Sequence, residues 1–149
     1  MDIYLISSET LALIPIGPNI THIIENNKEF DTNESFMNII DYNCKINGSS
    51  YIGRYESSKL LIGLSSKLPI LLNEREIYIP TNSVKNNKCC WISYNNLKDY
   101  YKKDKNAVLV FKNNRKIILD ISFKVFENQI FKVNKLLFRL NSIKSPIKT

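Results

Sequence analysis

The stretch SFKVFENQIFKVNKLLFRL, residues 122–140, decides the fold class because it has the clearest helical period in the chain. Its apolar side chains recur at alternating spacings of four and three residues: Phe126, Ile130, Val133, Leu137 and Leu140. At about 100° per residue these five side chains share a narrow arc, which predicts a helix with one packed face. Ser122 is the expected N-cap.

The opposite arc of this predicted helix is basic and carries Lys124, Asn128, Lys132, Lys135 and Arg139. A packed helix with a solvated outer face has this pattern. A helix whose basic side chains meet phosphates has it too. Both interpretations stay open, and the second makes Lys124, Lys132, Lys135 and Arg139 candidate DNA-binding residues.

Short hydrophobic segments separated by Asn-rich or Lys-rich turns precede this helix and predict strands. They are PILLN (69–73), EIYIPT (76–81), CCWISY (89–94), AVLVFK (107–112) and RKIILDI (115–121). Asn113-Asn114 predicts a two-residue hairpin turn between the last two segments. Residues 100–106, YYKKDKN, predict a solvated loop.

The N-terminal part reads as strands as well. DIYLIS (2–7) and LALIPI (11–16) predict two short strands, and Gly17-Pro18-Asn19 ends the second. ITHIIENNKEF (20–30) predicts a hairpin that turns at Asn26-Asn27.

Helical spacing returns in the middle of the chain, in SFMNIIDYNCKIN (35–47). Asn33 or Ser35 is the expected N-cap and Gly48 the expected C′ glycine. A second short helix is predicted from Ser50 to about Lys59. Together the segments predict one α+β domain over residues 1–149, a mostly antiparallel sheet with a central helical segment and a C-terminal amphipathic helix.

Charge is distributed unevenly along the 149 residues, whose formal net charge is +7. Residues 1–75 have a net charge of −3, whereas residues 76–149 have a net charge of +10. An AT-rich genome favours Lys and Asn codons and could explain the bulk charge, but it does not explain this asymmetry. An anionic partner would explain the asymmetry; nucleic acid is the first candidate and a membrane surface is the second.

Membrane insertion and secretion are not expected. No apolar run approaches the ~20 residues that a transmembrane helix needs. The acidic N-terminus MDIYLISSET lacks the basic region of a signal peptide, so we expect a cytoplasmic protein.

Enzyme and cofactor motifs are missing from the sequence. His22 is its one histidine and lies in an alternating apolar stretch, which favours a strand residue over a catalytic base. Cys44, Cys89 and Cys90 form no C-x-x-C pair and are expected to be reduced, and Trp91 beside them is expected in the core. We therefore expect neither catalysis, nor a metal site, nor a cofactor.

Residues 44–54, CKINGSSYIGR, resemble the C-R/K-x-x-G-S-S-Y-x-G-R signature of the ComK family, competence transcription factors of low-GC Gram-positive bacteria. Further similar segments follow in the same order. They are SKLPI (66–70), IYIPT (77–81), CCWIS (89–93) and SFKVFENQ (122–129). The sequence is thus identified as a member of this family, although Leu68 and Cys90 replace a family proline and glycine.

The resemblance implies a transcriptional activator of DNA-uptake genes that binds paired A/T-rich boxes, largely through the minor groove, as a homo-oligomer. It suggests RNA polymerase as a further partner. Within the signature, Ser49, Ser50, Tyr51 and Arg54 are then candidate recognition residues, with Lys67 as an additional contact. The same signature residues also fit a purely structural role, a helix-turn-helix hinge in which Gly48 supplies a positive φ and Tyr51 packs inward.

The chain ends at Thr149, whereas longer family members continue into a tail that a protease adaptor uses. Regulated proteolysis and activation are therefore in doubt. One alternative function is that of a non-activating paralogue that modulates a full-length relative by pairing with it. Membrane-surface binding by the basic helix ranks lower, because its apolar face lacks Trp.

Overall fold

The computed structural model describes residues 2–144. Met1 and residues 145–149 lie outside the described residues, and the single domain over residues 1–149 stays a prediction. This part of the chain forms three helices and nine strands. All strand pairs are antiparallel. The α+β prediction is confirmed.

Six strands form the larger sheet, in the order β3-β2-β1-β6-β5-β4. They are β1 (Thr10–Gly17), β2 (Ile20–Glu25), β3 (Glu29–Thr32), β4 (Ile70–Leu71), β5 (Ile77–Pro80) and β6 (Trp91–Ser93). Leu13 of β1 lies between Ile23 and Trp91 of the neighbouring strands, and all three side chains are buried. The predicted turns at Gly17-Pro18-Asn19 and Asn26-Asn27 are confirmed by the strands that flank them.

The smaller sheet has the order β7-β8-β9, with β7 (Leu97–Lys103), β8 (Asn106–Phe111) and β9 (Lys116–Ser122). The loop predicted for residues 100–106 is wrong, because Tyr101 pairs with Val108 and Lys103 pairs with Asn106 across the ladder. Only Asp104 and Lys105 form the turn. β7 is an edge strand, and this position accounts for its mostly exposed side chains.

Two central helices, α1 (Phe36–Ile46) and α2 (Tyr51–Ile62), cover part of the larger sheet. The hydroxyl of Ser35 caps α1 by accepting a 3.2 Å hydrogen bond from the Asn38 N–H. Of the two predicted N-caps, Ser35 is therefore the correct one. Buried side chains of α1 and the Tyr51 ring of α2 pack with Trp91 in one apolar cluster.

The C-terminal helix α3 (Phe123–Lys144) packs against the smaller sheet, where the Tyr100 ring lies 5.5 Å from Phe123 and 5.4 Å from Phe126. The predicted N-cap contact is present, since the Ser122 hydroxyl accepts a 3.1 Å hydrogen bond from the Val125 N–H. None of the described helices is long and apolar enough to cross a membrane.

One further prediction needs correction. Residues 2–7, DIYLIS, form no strand; the buried amide of Asn43 in α1 instead bonds the Tyr4 carbonyl and the Ile6 N–H, both at 2.9 Å. The predicted packed face of α3 is confirmed, because Phe126, Ile130 and Val133 are buried and Leu137 and Leu140 pack against the same cluster; Leu136, which was not predicted, is fully buried as well.

Candidate nucleic-acid interface

The signature CKINGSSYIGR forms the corner where α1 ends and α2 begins. Gly48 has a φ of 106°. The N–H groups of Gly48 and Ser49 donate to the carbonyls of Lys45 (3.1 Å) and Cys44 (3.2 Å). This closure of a helix end requires a left-handed residue, which glycine adopts without a Cβ penalty. The prediction of Gly48 as the C′ glycine is confirmed.

The two serines of the signature begin α2. The Ser50 hydroxyl accepts a 3.1 Å hydrogen bond from the Gly53 N–H and so caps the helix. The Ser49 hydroxyl lies in the space that a Cβ on Gly53 would take. The glycine at position 53 therefore allows the chain before α2 to lie close to the helix's first turn.

The aromatic and basic side chains of the signature point back into the corner. Tyr51 is only 7% exposed, and its ring meets Trp91 edge-on at 6.0 Å. Burial raises the pKa of Tyr51 to about 12. The guanidinium of Arg54 donates a 2.8 Å hydrogen bond to the carbonyl of Asn47, at the end of α1. Every signature residue named as a candidate contact thus has a role in holding the corner.

Lys67 lies in the loop between α2 and β4, with a φ of 49°. The side chain of Gln129, buried in α3, donates 2.7 and 2.8 Å hydrogen bonds to the carbonyls of Lys67 and Pro80. Lys132, one turn further along α3, donates a 2.8 Å hydrogen bond to the Ser66 carbonyl. Burial, reinforced by the charge of Lys67, lowers the pKa of Lys132.

The structure therefore brings Lys67, Lys132 and Lys135 together at one groove of about 470 Å³, beside Leu64 and Phe131. The predicted basic arc of α3 is split. Lys124, Lys135 and Arg139 are exposed, whereas Lys132 is half-buried and bonded to the loop.

Sequence reasoning missed a second group of basic residues on the smaller sheet. Lys102, Lys103 and Lys105 are exposed at the β7–β8 turn, and Lys116 is exposed at the start of β9. Three lysines within four residues, preceded by two tyrosines, were a signal that could have revealed this group. The interpretation of residues 100–106 as a loop concealed that these side chains have fixed directions.

The histidine and the three cysteines are held by contacts within the fold. His22, on β2, bonds the carboxylates of Asp31 (2.6 Å) and Glu29 (2.8 Å) on β3. All three cysteines are free thiols. Burial raises the pKa of Cys44 to about 11 and that of Cys89 to about 12, which disfavours the nucleophilic thiolate. Among residues 2–144, no cluster of three or more ligating side chains could hold a metal ion.

Comparison with known proteins places this architecture in a family. The family model described as "ComK protein" matches residues 1–144. The competence transcription factor of Bacillus subtilis (strain 168) is 30% identical over 138 residues, which cover 89% of this chain and 72% of the relative. No solved structure matches the chain. The match confirms the resemblance seen in the signature and the segments after it, and the chain belongs to the ComK family.

Proposed function

We propose that this protein is a DNA-binding transcriptional regulator of competence genes that recognises A/T-rich duplexes largely through the minor groove. The family and the competence transcription factor related to this chain support the regulatory role. The observation that carries the DNA-binding part is the net charge of +10 in residues 76–149. Many of these basic side chains are exposed, on α3 and on the smaller sheet.

The chemistry of A/T-rich DNA suits such a protein. A-tracts have a narrow minor groove whose negative potential attracts inserted Lys and Arg side chains. The donor and acceptor pattern of this groove separates A·T from G·C without a helix in the major groove. A protein without a zinc finger or leucine zipper can therefore still prefer such sites.

The predicted contacts enter the proposal with different support. Lys124, Lys135 and Arg139 are exposed on α3 and free to approach phosphates. For Lys67 and Lys132, the groove they share gives a second place for a phosphate. The DNA contacts of Ser49, Ser50, Tyr51 and Arg54 stay a prediction, beside the folding role that each residue has.

Self-association and pairing with a longer relative are supported by one feature of α3. Phe131 and Phe138 are 59% and 69% exposed and lie seven residues apart, on the same side of the helix. A helix face with two unpacked aromatic rings is typical of a protein interface. We include a homo-oligomer in the proposal, with RNA polymerase as the partner of an activator; the alternative is a modulator of a full-length relative.

The proposal is tested by measuring binding of the full chain to a fluorescent A/T-box duplex over a range of salt concentrations. A duplex with the boxes replaced by G/C pairs is the control. We expect tighter binding to the A/T duplex, and a log–log salt slope that steepens by about 0.9 for each neutralised phosphate. Equal affinity for both duplexes, or a slope near zero, contradicts the proposal. Association with a longer relative without any DNA binding would support the modulator instead.

A further inference from the structure

We propose that the DNA-contacting surface is the outer face of the smaller sheet together with its β7–β8 turn. This surface, called the basic sheet face, consists of Tyr101, Lys103, Lys105, Lys116 and Ile118. The proposal rests on the DNA-binding function proposed above and names the surface that performs it.

The direction of the side chains follows from the register of the three strands. Tyr101, Val108 and Ile118 lie opposite one another in a single row across β7, β8 and β9. The next row contains Tyr100, whose ring packs on Phe123 and Phe126 of α3. Because successive residues of a strand point to opposite faces, the Tyr101 row faces away from α3.

This outer row is apolar but uncovered. Tyr101 is 39% exposed and Ile118 is 60% exposed, while Val108 between them is buried by its neighbours. In most sheets with one solvated face, the solvated positions are polar. An exposed tyrosine and an exposed isoleucine on either side of a buried valine therefore form an apolar row that a partner can cover.

Charge around the row favours a polyanion as that partner. The ammonium of Lys116 lies 5.7 Å from the centre of the Tyr101 ring. Lys103 is on the same face of β7 as Tyr101, and Lys105 lies in the turn just beyond it. Within the described residues, none of these three lysines forms an ion pair. Three acids, Asp99 and Asp120 on this face and Asp104 in the turn, offset these three lysines. The excess positive charge belongs to the smaller sheet as a whole, because residues 97–122 contain seven basic and three acidic side chains.

The basic sheet face is also held in place before any ligand binds. The Phe123 N–H donates a 2.8 Å hydrogen bond to the Lys105 carbonyl, which ties the β7–β8 turn to the start of α3. The stacked Tyr100 fixes the middle of β7 against the same helix. Rigid placement of the lysines lowers the entropy lost on binding.

Apolar side chains set among cations are what a minor-groove surface needs. Lysines at the edges neutralise phosphates of the two strands. Ile118, exposed on the edge strand β9, can wedge between base pairs and open the groove, most easily at flexible T–A steps.

The test compares matched variants of the full chain in the salt titration described above. In the sheet pair, Lys103→Gln and Lys116→Gln are combined. In the control pair, Lys85→Gln and Lys88→Gln are combined; both lysines are exposed in the loop between β5 and β6, so that both proteins lose two charges. We expect the sheet pair to weaken A/T-duplex binding about tenfold and to reduce the salt slope by about 2, or about 1 per lysine. The control pair should leave the slope near that of the parent protein.

A single substitution gives a test in the opposite direction. Asp104→Asn removes a negative charge from the turn and keeps a residue that tolerates the φ of 57° at this position. We expect it to tighten binding severalfold, whereas Glu56→Gln, which removes an exposed acid on α2, should change binding little.

Ile118→Thr keeps a strand-forming residue and should reduce DNA bending, measured by energy transfer between dyes at the two ends of the duplex.

Each outcome separates this proposal from the general one. If the sheet pair leaves the slope unchanged, or changes it no more than the control pair does, the basic sheet face is wrong while DNA binding stands. If the parent protein itself binds without salt dependence or A/T preference, the proposed function fails. If the sheet variants change sedimentation and leave DNA affinity intact, the face pairs two copies of the chain and the proposal is overturned. Thermal melts confirm that each variant is folded.

Discussion

Replacing Gln129 by Leu tests how the family segment SFKVFENQ contributes to the fold. The Gln129 amide nitrogen donates to two carbonyls, Lys67 O at 2.7 Å and Pro80 O at 2.8 Å, and the side chain is 1% exposed. The pairing of β4 with β5 ends at Tyr78, so the Pro80 carbonyl lies beyond that ladder. Leucine fills a similar volume but leaves both acceptors without this donor.

The expected cost follows from the two bonds. An intramolecular hydrogen bond contributes about 0.5–1.5 kcal/mol, and a buried acceptor left without a donor costs about 1–3 kcal/mol. For two acceptors, one of them fully buried, we expect a loss of about 2–4 kcal/mol in the free energy of unfolding. At this chain length that loss corresponds to a decrease in Tm of roughly 4–16 °C.

Urea unfolding followed by circular dichroism measures this loss directly. Asn128→Leu is the matched control, because Asn128 is exposed on the same turn of α3 and its loss should cost less than about 0.5 kcal/mol. Equal stability of the two variants would refute the idea that Gln129 joins α3 to the loops. A changed m-value would show that the denatured state had altered instead.

Three further predictions concern the α1–α2 corner. Gly48→Ala should reduce stability by about 1–2 kcal/mol through backbone strain alone, because nothing lies within 4 Å of the added Cβ; an unchanged urea midpoint would contradict the positive φ. Arg54→Ala should weaken A/T-duplex binding by about 1–3 kcal/mol if Arg54 also reads the groove, and a folded variant with unchanged affinity leaves this side chain with its Asn47 contact only. The N–H of Tyr51 and the side chain of Lys45 lower the pKa of Asp41, so its contribution to stability is present above the usual carboxyl pKa of about 3.9 and is lost as pH falls through the lowered value. Asp41→Asn should remove this acid-dependent part of the unfolding curve, and identical pH profiles would show that Asp41 contributes nothing.

The middle and the end of the chain were predictable because local signals agreed with the final packing. Ser35 and Ser122 were predicted as N-caps, Gly48 as a helix end, and Asn113-Asn114 as a hairpin turn, and each of these signals acts over a few residues. Local chemistry of this kind needs no knowledge of distant contacts.

The failures have the opposite cause, since each depends on a distant partner. The sequence of β7 does not alternate between apolar and polar side chains, because β7 is an edge strand with mostly exposed positions. Its strand conformation is evident only from its pairing with β8. Residues 2–7 alternate like a strand, but Asn43, 37 residues from Ile6, takes up their backbone groups. Periodicity predicted the five apolar side chains of α3 that pack on the core, but it missed Gln129 and Leu136, which are buried because the loop at Lys67 and β5 lie on that side of the helix.

The candidate site was predictable only in its charge. The basic half of the chain was evident from composition, but composition cannot show which lysines are already bonded. Lys132 and Arg54 matched a pattern for phosphate contact, and the fold uses both as hydrogen-bond donors to carbonyls. Lys103 and Lys116 are far apart in sequence and share one face only because β7 and β9 both flank β8.

The buried Trp91 has a practical consequence for everything proposed about this corner. It is the chain's only tryptophan, and its indole is held against the Tyr51 ring at the start of α2. The protein therefore carries an intrinsic fluorophore at the joint between the helices and the larger sheet. Any ligand that shifts this joint must change the emission wavelength or quenching of one indole, without a dye or a label being attached.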